Sequence, residues 1–313
     1  MTTSGITTYN ETETEIIHDA YEKINVVGTD ETVSAEDYAS AHRTLNRMIK
    51  FWQGIDYHLW LKETATIFLQ KNQLEYTLNS TGDHATLSYV ETTLSADEAS
   101  GQVILSVTSS TGMNVDDYVG IKQDDNTLHW STIKTIIDPT SIEINTAITD
   151  DAASGSKVYA YTTRLDQPFD VYSAVRESES QIDVPMNYLA YQEYFELPNK
   201  TSTGFPVSYN YNRKINSALI RIWPVPITVE HLIKITFARK IEDFSVVSND
   251  PDFPQEWIEV LVLNLAVKLA PNYGKAGTPN FAEVKEDAKL SLMQVGAFDN
   301  EPGSIYFQPQ EYF

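Results

Sequence analysis

Residues 250–274 read DPDFPQEWIEVLVLNLAVKLAPNYG and carry a strongly apolar helical pattern. Pro254 close to Asp252 is typical of a helix start, because proline fits the first helical position and carboxylates suit the positive end of the helix dipole. One face is apolar at three- and four-residue steps, at Ile258, Leu261, Val262, Leu265, Ala266 and Leu269. Much of the other face is also apolar, at Trp257, Val260, Leu263 and Val267. Such a helix is covered nearly all round, either as the central helix of one large domain or between subunits of an oligomer.

Two amphipathic helices are predicted near the N-terminus. Thr12 and Glu15 have the spacing of a capping box, and a first helix is expected to follow and to end near Gly28. Its apolar face is Ile16, Ile17, Ala20, Tyr21 and Ile24. Ser34 and Asp37 repeat the capping signal for a second helix. The apolar face of that helix is Tyr38, Ala41, Leu45, Met48, Ile49 and Trp52.

A long β block follows these helices. Between residues 66 and 245, short alternating segments separated by turn residues predict strands rather than helices. Residues 87–165 favour a small antiparallel barrel or sandwich, and residues 166–245 form a second β section whose prolines keep strands short or at sheet edges. The predicted strands include residues 66–69, 74–78, 118–121, 130–133, 142–144, 158–161, 207–211, 219–223 and 232–237.

Helical pattern returns after the β block and ends in an aromatic segment. A helix after the one at 254–269 is predicted to stop at Gly296, with Phe281, Val284, Ala288, Leu292 and Val295 on one face. Residues 297–313 contain prolines but also many aromatic side chains, which are rare in disordered tails. This tail is therefore expected to dock, either on its own subunit or on another chain.

The order of these elements predicts an α+β fold. A helical base of about four helices is interrupted by a long antiparallel β insertion, and an extended tail follows. The N- and C-terminal helices are expected to form one base because the apolar faces of each pair can be buried by packing against the other pair. The predicted boundaries are 1–65 for the N-terminal helices, 66–245 for the β insertion, 246–296 for the C-terminal helices and 297–313 for the docking tail.

The charge balance disfavours some partners. The chain has 44 acidic and 22 basic side chains and a formal net charge of -22, so its surface repels nucleic-acid phosphates. Arg43, Arg47 and Lys50 form one of the few basic stripes, on the polar side of the second helix. Such a stripe indicates a solvated face or a contact with an acidic partner.

Other features exclude several classes of chemistry. The chain has no cysteine, which excludes disulfides, thiolate metal sites and cysteine nucleophiles. The N-terminal residues lack the basic and apolar regions of a secretory signal, and the apolar run at 258–270 is too short and too polar for a membrane span. We expect neither secretion nor membrane insertion.

No motif predicts catalysis, a cofactor or a metal. The six histidines are scattered, and there is no Gly-rich phosphate loop and no Gly-x-Ser-x-Gly elbow. The acidic run between Asp116 and Asn126 has the composition of a calcium loop but lacks its glycine and closing glutamate. Turn residues are the better interpretation of that run.

Two alternatives stay open. A peptidoglycan-cleaving hydrolase needs two facing carboxylates, for which Glu63, Glu193 and Asp243 are candidates among many. A carbohydrate-binding adhesin needs an aromatic groove, which one segment with Tyr188, Tyr191, Tyr194 and Phe195 offers. Packing or interface roles are the commoner use of such aromatic residues.

Three stretches of sequence follow one another along the chain in an order typical of one protein family: EYFELPNKTSTGFPVSYNYNR at 193–213, LIRIWPVP at 219–226, and residues 250–274. Together they resemble the head-to-tail adaptor proteins of tailed bacteriophages, in particular the tail accessory factors of short-tailed phages. The N-terminal EIIHDAYEKINVVG and the later NRMIKFWQ are similar to the opening of those proteins. Residues 87–165 depart from compact members of the family, which lack such a β domain.

The resemblance implies a structural, non-enzymatic virion protein at the head–tail junction, assembled in the host cytoplasm. Such adaptors form a homo-oligomeric, usually dodecameric ring below the portal protein, extend the DNA channel and give tail proteins a platform. Packaged DNA passes through without sequence-specific binding, and C-terminal segments bind the portal. The interface residues expected toward the portal or a neighbouring subunit are Trp257, Leu263, Val267, Phe298, Tyr306, Phe307, Tyr312 and Phe313. Arg43, Arg47 and Lys50 are a second expected interface.

Overall fold

The chain folds into two compact units in the computed structural model, which describes residue 5, residues 7–55 and residues 59–298. The helical unit combines Met1–Leu61 with Ile241–Phe313, and the β unit is Lys62–Lys240. These boundaries lie near the predicted ones at 65 and 245. The helices of the described residues are α1 (Glu13–Lys23), α2 (Ala35–Trp52), α3 (Tyr191–Glu196), α4 (Ile258–Leu269) and α5 (Pro279–Phe298).

The strands all lie in the β unit, within the described part of the chain. The first nine are β1 (Lys62–Phe68), β2 (Glu75–Leu78), β3 (Ala85–Thr86), β4 (Val90–Thr93), β5 (Ile104–Ser106), β6 (Tyr118–Lys122), β7 (Leu128–Asp138), β8 (Ser141–Ile144) and β9 (Lys157–Tyr161). The others are β10 (Asp170–Glu177), β11 (Asp183–Pro185), β12 (Asn187–Tyr188), β13 (Thr203–Gly204), β14 (Ser208–Arg213), β15 (Ala218–Trp223), β16 (Val225–Pro226) and β17 (Leu232–Ala238). The predicted α+β class with antiparallel sheets is confirmed.

The helical unit has one core to which both ends of the chain contribute. α1 begins with the predicted capping box, in which the Thr12 N–H donates to Glu15 Oε2 at 2.7 Å. α2 begins at Ser34, whose Oγ accepts from the Asp37 N–H at 3.2 Å. The predicted apolar faces of both helices lie in the core, where α4 packs against α1, α2 and α5. Each large side chain buried there stabilises the unit by about 1.5–3 kcal/mol.

Two predicted helices differ from the structure at one end each, and one short helix was not predicted. The helix expected to start at Pro254 begins with a 3-10 turn, Gln255–Trp257, before the α-helical part. α5 continues past Gly296 to Phe298, because glycine inside a helix costs only about 1 kcal/mol. The short α3 was not predicted; at its start the Ala190 N–H donates to Glu193 Oε2 at 2.7 Å.

Two sheets of the β unit share a core. The five-stranded sheet has the order β11-β10-β17-β1-β3, and the four-stranded sheet has the order β12-β14-β15-β2. Apolar residues from β1 and β17 meet those of β2, β14 and β15 in this core, which includes Ile67, Ile235, Tyr76, Tyr209 and Ile220. A short parallel pair joins β13 to β16.

A six-stranded antiparallel sheet accounts for the predicted small β domain. Its order is β4-β9-β6-β7-β8-β5, and an isolated bridge between Leu94 and Val107 brings the regions after its two edge strands together. The sheet is therefore rolled into a half-barrel around a separate aliphatic core that contains Val119, Ile133 and Ile144. Among the described helices, none is long and apolar enough to cross a membrane.

Candidate functional site

A cleft of about 720 Å³ opens in the β unit. It is lined by residues 86–90 and 160–166, the segments at which the chain enters and leaves the half-barrel, together with Gly112 and Asp117. The segments are held side by side because the Leu165 N–H donates to the Ala85 carbonyl at 2.7 Å. The cleft therefore has a backbone frame on which its side chains are positioned.

A polar relay lies against this cleft. His84 stacks on Trp130 with ring centroids 3.7 Å apart, its Nδ1 lies 2.6 Å from Tyr161 Oη, and its Nε2 lies 3.4 Å from Arg164 Nη2. Burial, and then the charge of Arg164, lower the pKa of His84 to about 3, so the ring is neutral near pH 7. Burial raises the pKa of Tyr161, so its hydroxyl keeps its proton.

The geometry of this relay fixes the histidine tautomer. A guanidinium only donates hydrogen bonds, so His84 Nε2 must accept from Arg164. His84 Nδ1 then carries the proton and donates to Tyr161 Oη. The hydroxyl hydrogen of Tyr161 is left to donate to another group.

Two further polar atoms at the cleft have no hydrogen-bond partner among the described residues. Asp117 is 2% exposed, and its Oδ2 accepts from the Asn114 N–H at 2.7 Å while Oδ1 is unpartnered. Arg164 donates through Nη1 to the Gly82 carbonyl at 2.8 Å while Nε is unpartnered. A buried polar atom without a partner is unfavourable, so such atoms mark places where a ligand or water would be held.

The residues predicted from the apolar helix lie in the core of their own unit. Trp257 is 3% exposed and Leu263 is 5% exposed, and Val267 is only partly buried against the same core. Trp257 contacts the rings of Trp52, Trp60 and Phe253. Burial within one chain favours the central-helix interpretation over a subunit contact for Trp257 and Leu263.

The aromatic tail predicted to dock lies outside the described residues. α5 ends at Phe298, whose side chain is outside the description. The same holds for all atoms of Tyr306, Phe307, Tyr312 and Phe313. Their docking stays a prediction.

The predicted basic stripe on α2 divides into two parts. Lys50 Nζ lies 2.7 Å from Asp243 Oδ1 and also donates to the Ile241 carbonyl, so it ties α2 to the C-terminal segment of the unit. Arg43 and Arg47 are exposed and make no ion pair within the described residues. Phe51, one helical turn after Arg47, is 65% exposed beside them.

The candidate carboxylates of a hydrolase have separate structural partners. Glu63 pairs with Arg239 at 3.2 Å, Glu193 caps α3, and Asp243 pairs with Lys50. Asp243 belongs to the helical unit and the other two to the β unit. Within the β unit, neither Glu63 nor Glu193 lines the cleft of about 720 Å³.

Three aromatic side chains of the tyrosine-rich segment are exposed, and one is buried. Tyr191 and Phe195 pair with ring centroids 4.6 Å apart, and Tyr188 is also exposed. Tyr194 is buried, with the Arg221 guanidinium 5.5 Å above its ring. One of the four predicted aromatic residues is therefore a core residue.

Two groups of side chains in the structure bear on metal binding. His18, Asp19 and Glu22 place ligand atoms within 4.8 Å of one another, a group that sequence spacing did not indicate. His18 Nε2 already contacts the Glu31 carbonyl, and Glu22 accepts from Thr29 at 2.6 Å. In the acidic run, Asp116 and Asn126 have positive φ values of 70° and 62°, as turn residues do.

Sequence reasoning missed the relay and the cleft. His84 lies about 80 residues before Arg164 in the chain, and only the pairing of the two connecting segments brings them together. The one available signal was that His84 lies just before, and Arg164 at the end of, the small barrel or sandwich predicted at 87–165.

No protein-family model matches this chain, and no curated protein matches it either. The resemblance to head-to-tail adaptors therefore stays an expectation from the sequence stretches. Any function must be argued from the residues and their geometry.

Proposed function

We propose that this chain is a structural head-to-tail adaptor of a phage virion. It forms a homo-oligomeric ring, dodecameric in the resembling proteins, below the portal, extends the DNA channel and gives tail proteins their attachment platform. The main support is the helical unit, in which segments from both ends of the chain share one core. The stretches at 15–28, 46–53 and 250–274 that resemble adaptors lie in that unit.

Exposed apolar side chains on the helices support a role in assembly. Leu290 and Met293, three residues apart on α5, are 46% and 63% exposed, and Phe51 on α2 is exposed as well. Apolar side chains that one subunit leaves exposed are available to a neighbour in a closed ring. We therefore assign the subunit contact to these residues rather than to the buried Trp257 and Leu263.

The charge of the helical unit supports a channel-lining role. It holds half of the 44 acidic residues of the chain but only 8 of its 22 basic residues. A negative wall minimises contact with the phosphates of passing DNA. The exposed Arg43 and Arg47 then suit the acidic surface of a neighbouring subunit.

The mass of the purified protein with and without portal protein is the most informative measurement. Assembly into a ring, alone or only on the portal, is expected. A protein that stays monomeric at high concentration and ignores the portal would exclude the adaptor function.

Deletion of residues 303–313 tests the docking tail. We expect an unchanged fold but weaker attachment to the portal, because the aromatic residues Tyr306, Phe307, Tyr312 and Phe313 supply apolar contact area. Binding of portal particles can be measured by co-sedimentation, with far-UV circular dichroism as the check on folding. A Gln308→Ser, Gln310→Ser variant is the control and should attach like the full chain; equal attachment by the truncated chain would refute the role of the tail.

A further inference from the structure

We infer that the cleft of the β unit binds a neutral saccharide, held by Tyr161, Arg164 and Asp117. Its volume of about 720 Å³ lies within the range of about 300–1,000 Å³ that is common for small-molecule sites. This binding activity is separate from the adaptor function, because none of the assigned assembly residues lies in the β unit.

Tyr161 and Arg164 line the cleft, and each carries a buried hydrogen-bond donor without an acceptor among the described residues. The Tyr161 hydroxyl hydrogen is free because His84 Nδ1–H already occupies the hydroxyl oxygen as an acceptor. Arg164 Nε–H has no partner among the described residues, while the rest of the guanidinium is fixed by Gly82, His84 and the ring of Tyr118 at 4.5 Å. The donors are therefore held by a rigid set of neighbours rather than by flexible side chains.

One strong acceptor completes the set. Asp117 lines the cleft, and its carboxylate is fixed through Oδ2 by the Asn114 N–H, which leaves Oδ1 buried and without a hydrogen-bond partner among the described residues. A ligand hydroxyl can donate to a carboxylate and accept from an N–H or O–H at the same time. Adjacent hydroxyl groups of a sugar ring would satisfy all three protein atoms.

The remaining wall favours a neutral ligand with an apolar face. The lining has one cation, Arg164, and two carboxylates, Asp117 and Asp166. An anionic ligand would meet a net negative charge and is therefore disfavoured. Leu87 is more than half exposed and Tyr89 is partly exposed along the same wall. Such side chains cover the C–H face of a sugar ring while the hydroxyl groups meet the polar atoms.

Saturation-transfer NMR on the full chain tests this assignment with maltotetraose, cellotetraose and chitotetraose. Inorganic phosphate and tetra-alanine serve as the anionic and peptide comparisons. We expect saturable binding of at least one saccharide that exceeds the binding of phosphate and of the peptide. No saccharide binding at tens of millimolar, or tighter binding of phosphate or peptide, would overturn the inference.

Variants locate the binding in the cleft. Tyr161→Phe and Asp117→Asn should each weaken saccharide binding about tenfold, because each removes one hydrogen bond of about 1.4 kcal/mol. Thr162→Trp changes an exposed lining residue and should abolish binding by filling the cleft, even if the buried Asp117→Asn variant folds poorly. The control Asp183→Asn removes the same charge as Asp117→Asn outside the cleft and should bind as wild type. Binding that survives Thr162→Trp, or falls equally in the control, would contradict the site.

Discussion

The helical unit and the β unit differ in how they use buried polar groups. The helical core is almost wholly apolar, and its buried carboxylate Glu13 lies against His42, with 2.5 Å between Oε1 and Nδ1. The β unit buries whole polar networks: Arg221 pairs with Glu75 at 2.6 Å and donates to Asn210, which in turn donates to the Leu189 carbonyl. An apolar core stabilises the fold but does not orient polar atoms, whereas a satisfied hydrogen-bond network holds polar atoms in fixed positions.

The two proposals therefore rest on different units. The proposed assembly role rests on exposed apolar side chains of the helical unit, and the proposed saccharide site rests on cleft-lining residues of the β unit. Among the described residues of the β unit, buried side-chain atoms without a hydrogen-bond partner belong to Asp117, Trp130, Arg164 and Arg176, and of these residues Asp117 and Arg164 line the cleft.

The largest expected effect is on the helical core. Trp257→Ala should lower the free energy of unfolding by about 3–5 kcal/mol, because it removes a buried ring packed among Trp52, Trp60 and Phe253 and leaves a cavity. Urea unfolding followed by circular dichroism at 222 nm measures the loss of helix. The matched control Met293→Ala lies on the exposed face of α5 and should change stability by less than about 0.5 kcal/mol. A loss below about 1 kcal/mol for Trp257→Ala would mean that the core is not organised around this ring.

A pH-dependent effect is expected from the polar network of the β unit. The pKa of His84 is about 3 in the folded chain and about 6.5 when unfolded, so between these values the unfolded chain takes up a proton that the folded chain does not. Stability should therefore fall as the pH is lowered from 6.5 toward 3, by up to about 1.4 kcal/mol per pH unit. His84→Gln removes this contribution, so urea unfolding at pH 7, 5.5 and 4 should show a shallower loss for the variant. Identical slopes for both proteins would contradict a buried neutral His84.

The same contrast explains what the sequence could predict. The helices were predictable because each apolar face repeats within one segment, as in Ile16, Ala20 and Leu45, Ile49, and the local caps at Thr12 and Ser34 mark their starts. The central strands were predictable from alternation, but β10 was missed, although its pairing with β17 is extensive, because its side chains are mostly exposed or partly buried. The α+β class thus followed from local patterns.

The cleft did not follow from local patterns. His84, Asp117, Tyr161 and Arg164 are each ordinary polar residues in their own segments. Their hydrogen bonds and shifted pKa values depend on burial and on distances set by sheet pairing, and neither can be inferred from the spacing of the residues along the chain. Likewise, the apolar flank of α4 could not reveal whether its own chain or a partner covers it.

A smaller effect is expected from overpacking the wall behind the relay. A Cβ added at Gly120 on β6 would lie 2.7 Å from the ring of Trp130, the ring on which His84 stacks. Gly120→Ala should therefore lower stability by about 1–3 kcal/mol and disturb the near-UV circular dichroism of the aromatic cluster. Gly277→Ala, where a Cβ meets nothing within 4 Å, is the control and should leave both signals unchanged. No change in the Gly120 variant would show that the Trp130 ring shifts freely.

The smallest effect on stability should accompany a large effect on assembly. Replacing both Arg43 and Arg47 by Gln should change the free energy of unfolding by less than about 0.5 kcal/mol, because both side chains are exposed and neither makes an ion pair within the described residues. If an acidic neighbouring subunit meets this face, the variant should self-associate less in sedimentation velocity, and added salt should weaken the wild type in the same way.

The control for this pair removes two charges from the same unit at another place. Lys268→Gln with Lys275→Gln lowers the positive charge equally, at two positions outside the contacts assigned to α2 and α5. Assembly lost only in the arginine variant would locate the contact on α2. Equal loss in both variants would instead mean that the net charge of the unit governs association, and the α2 face would have no special role as a contact.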